Sequence, residues 1–249
     1  MLSAGHLVVW TPPVSSWITD EPGLLRVLAE GPDWVAMDKP AGVPVHPLRP
    51  DEPGTLLGDV AAKYPQVVGV GEEGELRSGV VHRLDVDTSG VVLFALSDER
   101  WRALREAFST HRVRKTYAAL VDGVVEQDGE IEMHLAVTRH APARVEVVDA
   151  ELSVAGARKC SLAWRVLAVS DRSSRVEVNL HTGFLHQVRV MFAAMGNPLL
   201  GDACYAPERV AARAPRQMLH AASIEVDEVK AEADWPEDFM QTAEREGIA

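Results

Sequence analysis

Cysteine is scarce in this chain. Cys160 and Cys204 are the two present in 249 residues, too few for a disulfide framework or a four-cysteine metal site. That usage fits a reducing compartment, and a cytoplasmic location is expected. No apolar run is long enough to span a bilayer. Lys and Arg are absent from Met1 to Leu25, so the basic opening of a secretory signal is missing. The chain also lacks a Gly-x-x-x-x-Gly-Lys-Ser/Thr phosphate loop and a strand-linked Gly-x-Gly-x-x-Gly, so nucleotide-cofactor chemistry is not expected. Positive charge is in deficit too: 25 Lys and Arg face 37 Asp and Glu, a net −12. Such a chain is no general binder of polyanions, and any contact with nucleic acid must be local.

What is present is ordinary for a globular fold. Hydrophobic residues make up 47% and charged residues 25%, and the length suits one large or two small domains with a core that needs no staple. Residues 1–30 have weak periodicity and include Thr11-Pro12-Pro13 and Ser15-Ser16, which reads as an N-terminal extension. Trp34–Met37 is a short apolar run ended by Asp38-Lys39-Pro40-Ala41-Gly42, a strand entering a turn. Val91–Leu96 reads as a core strand and Lys115–Val121 as another, closed by Asp122-Gly123. Asp98–Thr110 reads as a helix, with Ser97 or Asp98 as N-cap and Trp101, Leu104 and Phe108 at helical spacing. Val176, Val178 and Leu180 alternate with polar residues as in a half-buried strand. Leu185, Val188, Phe192 and Met195 then trace a helix face stopped by Gly196. Strands with interspersed helices and no regular βαβ beat indicate an α+β fold. Residues 225–249 form an acidic tail, with nine acids against Lys230 and Arg245, carrying −7 of the net charge.

Three polar clusters could carry chemistry. His82-Arg83-Leu84-Asp85-Val86-Asp87-Thr88-Ser89-Gly90 sits just before a core strand, a loop delivered by a rigid element. Asp87 and Ser89 are good turn formers, and for Asp85 turn and site are evenly balanced on these residues alone. Thr182-Gly183-Phe184-Leu185-His186-Gln187-Val188-Arg189 places His186 and Arg189 three apart, on one face of the expected helix; a solvated polar face is the plain alternative. Residues 98–117 net +3 through Arg100, Arg102, Arg105, Arg112, Arg114 and Lys115, where a salt-bridged surface helix is the plain alternative. Ser89 lacks the Gly-x-Ser-x-Gly elbow of a hydrolase nucleophile. His181 and His186 are five apart rather than four, and no cysteine pair supports a zinc site.

Read together, the blocks resemble a known family. His82-Arg83-Leu84-Asp85-x-x-Thr88-Ser89-Gly90 is similar to the signature of the RluA-type family of RNA pseudouridine synthases. Lys39-Pro40-Ala41-Gly42-Val43-Pro44-Val45-His46-Pro47 resembles its opening segment, with Gly54-Thr55-Leu56 after it. Lys115-Thr116-Tyr117 resembles its Lys-x-Tyr strand. Thr182-Gly183-x-x-His186-Gln187-Val188-Arg189 and Gly196-x-Pro198-Leu199-x-Gly201-Asp202-x-x-Tyr205 resemble its third block, and Leu219-His220-Ala221 a late motif. The blocks follow the family's order across residues 34–225. Phe184 stands where that family has Arg, Met191 where His is common, and Ala206 where Gly is common. Only about thirty residues precede Trp34, too few for the S4-type RNA-binding domain many relatives carry, and Asp20-Glu21-Pro22 resembles a remnant of its linker.

The resemblance implies a pseudouridine synthase fold, α+β, with a mixed, largely antiparallel central sheet, flanking helices and an RNA-binding cleft. It implies one catalytic domain over 31–249 that includes the acidic tail. It implies isomerisation of uridine to pseudouridine in structured RNA, tRNA or rRNA, by a monomer needing no cofactor or metal. Asp85, Tyr117 and Arg189 would be catalytic: the carboxylate, the platform for the target uracil, and the partner of the carboxylate. Arg83, His82, Thr88, Lys115, His186, Arg112 and Arg114 would bind RNA. An ionised Asp suits charge developing at the sugar as a glycosidic bond breaks, and an adjacent Arg opposes the rise in pKa that burial brings. Whether Asp85 attacks sugar or base, or assists elimination, is open at this level. So are two other readings: a catalytically silent RNA-binding or chaperone protein of this fold, and a glycosidic hydrolase using Asp85 with Asp87. Salt-sensitive RNA binding through Arg100, Arg102, Arg112 and Arg114 is expected.

Overall fold

The computed structural model describes residues 17–18, 26–151 and 154–249. In chain order the elements are β1 (Arg26–Glu30), β2 (Trp34–Lys39), α1 (Leu56–Lys63), β3 (Ser89–Ala95), α2 (Asp98–Ser109), β4 (Arg114–Asp122), β5 (Gly129–His140), β6 (Ala143–Val148), β7 (Arg158–Val169), β8 (Ser173–Leu180), α3 (Gln187–Ala194), α4 (Glu208–Ala211), β9 (Leu219–Val226), β10 (Val229–Glu232) and α5 (Glu237–Arg245). The strands form one ten-stranded sheet in the order β1-β2-β3-β9-β4-β8-β7-β5-β6, with β10 paired to β9. Every pairing is antiparallel except β3 with β9. The mixed, largely antiparallel α+β sheet is as expected.

Burial explains the elements. All seven residues of β3, Ser-Gly-Val-Val-Leu-Phe-Ala, are buried, as a continuous apolar run covered on both faces requires. Along β4 the side chains alternate. Tyr117, Ala119 and Val121 join one core, and Ala118 and Leu120 join another on the opposite face, the period-two geometry of a strand. In α2 the Ser97 hydroxyl accepts from Arg100 N–H at 3.2 Å, Asp98 and Glu99 occupy the first turn, and Trp101, Leu104 and Ala107 are buried. The cap satisfies a free N–H and the acids complement the positive end of the helix.

Three boundaries differ from the sequence reading. The N-terminal extension was expected to run through residue 30, but Arg26–Glu30 is strand β1, paired antiparallel with β2. Asp38 faces Arg26 across that pair at 3.4 Å, a contact between segments that local periodicity does not reveal. The rest of the extension, including Asp20-Glu21-Pro22, lies outside the described residues apart from Trp17 and Ile18. The acidic tail is not a tail. It comprises the end of β9, β10 and α5, and Phe239, Ala243 and Ile248 are buried in the core beneath the sheet. Most of its acids occupy outward positions of elements whose other faces are apolar, while Glu246 is buried and Asp238 half-buried against Arg216. Finally, α3 starts at Gln187, so His186 caps it in a left-handed conformation (φ 53°) and does not share a solvated face with Arg189, which is buried.

Candidate active site

The loop carrying Asp85 is held by its backbone. Between β2 and β3, the turn carrying Asp85 closes with Thr88 N–H donating to the Asp85 carbonyl at 3.1 Å. The next carbonyl, Val86, accepts from Gly42 N–H at 2.9 Å and from Lys39 Nζ at 2.7 Å. Lys39 is wholly buried and also donates to the Pro40 and Val43 carbonyls, so three acceptors meet the three N–H bonds of an ammonium. Burial lowers the Lys39 pKa to about 7, with Asp87 opposing the shift. Arg216, from the approach to β9, donates to the Asp87 carbonyl at 2.9 Å and the Ser89 hydroxyl at 3.2 Å, and pairs with Asp238 of α5 at 2.6 Å. Gly90 completes the attachment. Its φ is 112°, and a Cβ there would lie 2.2 Å from the Ala221 carbonyl oxygen, so only glycine lets β3 approach β9 here.

At this loop a chain of charges converges. Arg189 donates from Nη1 to Asp85 Oδ2 at 2.9 Å. Its other edge donates from Nε and Nη2 to the two oxygens of Asp202, at 2.7 and 2.8 Å, the two-pronged geometry guanidinium prefers. Asp202 is fully buried, and its Oδ1 also accepts from the backbone N–H groups of Cys204 and Tyr205. Burial works against the Arg189 charge, but Asp202 and then Asp85 outweigh it and raise its pKa. The guanidinium therefore remains a fixed cation against Asp85. Gly201, φ 76°, turns the chain so that Asp202 enters from below; a Cβ there would collide with the Arg216 carbonyl oxygen.

Of these groups, Asp85 and Arg189 open onto a cavity of about 910 Å³. Asp85, Tyr117 and Arg189 all face it. Tyr117 is buried, and burial, then the Asp85 charge, pushes its phenol above the ordinary range, so it is a neutral ring. Among the expected binding residues, Arg83, His82, Thr88, Lys115 and His186 also line the cavity. Thr88 Oγ1 is buried with no hydrogen-bond partner among the described residues. Lys115 donates to the Thr182 carbonyl at 3.0 Å, and burial lowers its pKa to about 8. His82 Nε2 accepts from Leu93 N–H at 2.9 Å and its ring stacks on Phe108 at 4.9 Å. Burial, then Lys115, lowers its pKa to about 3, so His82 meets a ligand as a neutral ring. Phe184 forms part of the cavity wall.

Arg112 and Arg114 are not brought to the cavity. Arg112 pairs with Asp227 at 3.2 Å and Arg114 with Glu225 at 3.3 Å. Arg100 pairs with Asp33 and Glu228, and Arg102 with Glu72. The expected cationic stripe is thus cancelled in place, largely by the acids that the sequence reading had assigned to a separate tail. The cations at the cavity with no ion pair among the described residues include Arg83 and Arg158, both exposed. The contributions of Lys39, Asp202, Tyr205 and Arg216 were not singled out from sequence. The Gly201-Asp202-x-x-Tyr205 spacing was the available signal for two of them.

The family model described as RNA pseudouridylate synthase matches residues 33–194. A Chloroflexus aurantiacus protein described as an uncharacterized RNA pseudouridine synthase is 37% identical over 86% of this chain and 65% of its own length. The chain therefore spans just under two thirds of that relative. The ribosomal large subunit pseudouridine synthase D of Pseudomonas aeruginosa is 32% identical over 87% of this chain and 70% of its length. Among solved structures, human RNA Pseudouridylate Synthase Domain Containing 4 matches with a TM-score of 0.70 at 20% identity, over 89% of this chain and 92% of that one, a likeness of fold. Human RNA Pseudouridylate Synthase Domain Containing 1 matches at 0.67 and 25% identity, over 87% and 86%.

Proposed function

This chain belongs to the RNA pseudouridylate synthase family, and from that premise we propose that it isomerises uridine to pseudouridine in structured RNA, either tRNA or rRNA. The observation that carries the reading is the buried Asp202–Arg189–Asp85 chain, which presents one carboxylate at the cavity beside the neutral ring of Tyr117.

The reaction breaks the bond between uracil nitrogen 1 and the sugar and forms a bond from carbon 5 to the same sugar carbon. The proton leaves carbon 5, and nitrogen 1 ends protonated, so no atom is gained or lost. Positive character develops on the sugar as uracil departs, and the Asp85 carboxylate is suited to stabilise it or attack as a nucleophile. Arg189 keeps that carboxylate oriented. Tyr117 supplies a flat surface for the uracil, which must leave its stack at a cost of a few kcal/mol. Thr88 Oγ1 is a hydrogen-bonding group in the cavity wall without a partner among the described residues, suited to a ligand's polar edge. Arg83 and Arg158 at the exposed side are placed for phosphate contacts.

The test is incubation of the protein with transcripts carrying labelled uridine, large-subunit rRNA fragments first because relatives carry that substrate in their names, followed by digestion and nucleoside separation. Pseudouridine from wild type and none from Asp85→Asn is the expected result. Equal product from both removes Asp85 from the mechanism. Free uracil in place of pseudouridine supports the hydrolase reading, and RNA bound without product supports the silent binding protein.

A further inference from the structure

Beside Asp85 lies a hydrogen-bonded series that the proposed reaction does not by itself require. Val145 N–H, on β6, donates to the Tyr205 phenol oxygen at 3.0 Å. The same oxygen is 2.8 Å from His186 Nδ1. The far nitrogen of that ring, Nε2, is 3.8 Å from Asp85 Oδ1.

The proton positions follow from the donors available. Tyr205 already accepts from a backbone N–H, so its own hydrogen needs an acceptor. Among the described residues, two groups able to accept it adjoin the hydroxyl: His186 Nδ1 and the thiol of Cys204. Sulfur is a weak acceptor and imidazole nitrogen a strong one. With Nδ1 accepting, the ring proton of neutral His186 resides on Nε2. We propose that Tyr205 is a positioning residue that fixes His186 in the Nε2–H tautomer and aims that N–H at Asp85.

Two further features support this assignment. His186 takes φ 53°, a left-handed conformation uncommon for a side-chain-bearing residue. Such strain persists where surrounding contacts over-determine it, characteristically at functional sites. Tyr205 is itself held firmly: its backbone N–H bonds Asp202 Oδ1 at 3.1 Å, and the guanidinium carbons of Arg189 and Arg144 lie 5.3 and 5.6 Å from the centre of its ring. Asp202 therefore supports both groups that address Asp85, with Arg189 on one oxygen and His186 facing the other. The 3.8 Å separation is longer than a hydrogen bond, and catalytic contacts are often long before substrate binds. In this tautomer the ring offers Asp85 a donor and takes no proton from it, so the carboxylate stays free to react. Burial lowers the His186 pKa, and the charges around it are Asp85, Arg189, Asp202 and Arg83.

The tautomer is readable without any assay of activity, which separates this inference from the proposed reaction on which its kinetic consequence rests. Long-range proton–nitrogen correlation on ¹⁵N-labelled protein near neutral pH reports each imidazole nitrogen, and His186→Gln identifies the signals. In wild type, His186 Nδ1 should appear unprotonated and Nε2 protonated; the reverse pattern overturns the proposal, even if Tyr205→Phe does not fold. In Tyr205→Phe both nitrogens should shift toward tautomer averaging, and unchanged shifts overturn it equally. In the pseudouridine assay Tyr205→Phe should lower kcat about ten-fold with KM within about two-fold. A wild-type kcat would overturn the aim at Asp85, whereas a wild type that makes no pseudouridine fails the reaction reading and leaves the tautomer result to decide the role of Tyr205.

Discussion

Arginine meets carboxylate in two settings here, and the contrast separates position from charge balance. At the cavity, Arg189 is 7% exposed and lies between a fully buried Asp202 and Asp85. On the outer face of β4 and α2, Arg112, Arg114 and Arg102 meet Asp227, Glu225 and Glu72 with side chains about half exposed or more. The chemical partners are the same. Water screens the outer pairs, so each is worth about 0–1 kcal/mol. The inner arrangement has lost its water, so every member depends on the others being present. The outer pairs neutralise a surface, while the inner one determines where a single carboxylate stands.

The sharpest way to break that comparison is Asp202→Asn. It leaves Arg189 buried with one anionic partner and should cost about 3–5 kcal/mol in urea denaturation, with turnover falling as Asp85 loses its support; a loss below 1 kcal/mol would place the inner pair with the outer ones. Asp85→Asn tests the other end. Its turnover should fall at least about 10³-fold while the urea midpoint moves little, since Asp85 reaches the cavity and Arg189 keeps Asp202.

Enclosure also predicts a response to acid. His82, at about 3, and His220, at about 4, have pKa values lowered chiefly by burial. Both are neutral when folded and ordinary at about 6.5 when unfolded. Between those values the unfolded chain binds more protons, so stability is retained above pH 6.5 and falls as the pH drops toward the folded values. The slope is up to about 1.4 kcal/mol per pH unit for each histidine. Denaturation midpoints across this range should show it, and an unchanged slope in His82→Gln would remove His82 from the account. Salt, which weakens the outer pairs, should leave the slope largely in place.

The smallest effects belong outside. Removing two exposed cavity cations that have no ion pair among the described residues, Arg83→Ala with Arg158→Ala, should weaken RNA binding about ten-fold and flatten its salt dependence by about two phosphate contacts. Arg112→Ala with Arg114→Ala should change affinity less than two-fold and stability by less than about 0.5 kcal/mol each. Filter binding at several salt concentrations compares the two. Equal losses from both doubles would restore the stripe that the sequence suggested.

The parts legible in the sequence were those written locally. The apolar run of β3, the capped stripe of α2 and the alternation of β8 each show their period within one segment. Asp85, Tyr117 and Arg189 were legible through motifs in order, and the cavity collects all three. What was not legible depends on distance along the chain. Asp85 and Arg189 are 104 residues apart, Arg216 reaches Asp87 over 129, and Arg112 finds Asp227 over 115. A net charge summed over a segment cannot show which charges cancel across a sheet. Nor could the burial of Lys39 be read from a Lys-Pro-Ala-Gly turn, because two of its carbonyl partners come from its own turn and the third from Val86.

The one parallel pairing has a consequence for synthesis. Ser89 and Gly90 of β3 lie beside His220 and Ala221 of β9, and β9 also separates β3 from β4. A growing chain that has already made Asp85, Tyr117 and Arg189 still has a gap in the middle of its sheet. Closing it means joining segments 131 residues apart, a slow, long-range step. The emerging chain thus carries the Asp85 carboxylate long before it can hold it still, and its sheet closes only when β9, Leu219–Val226, arrives.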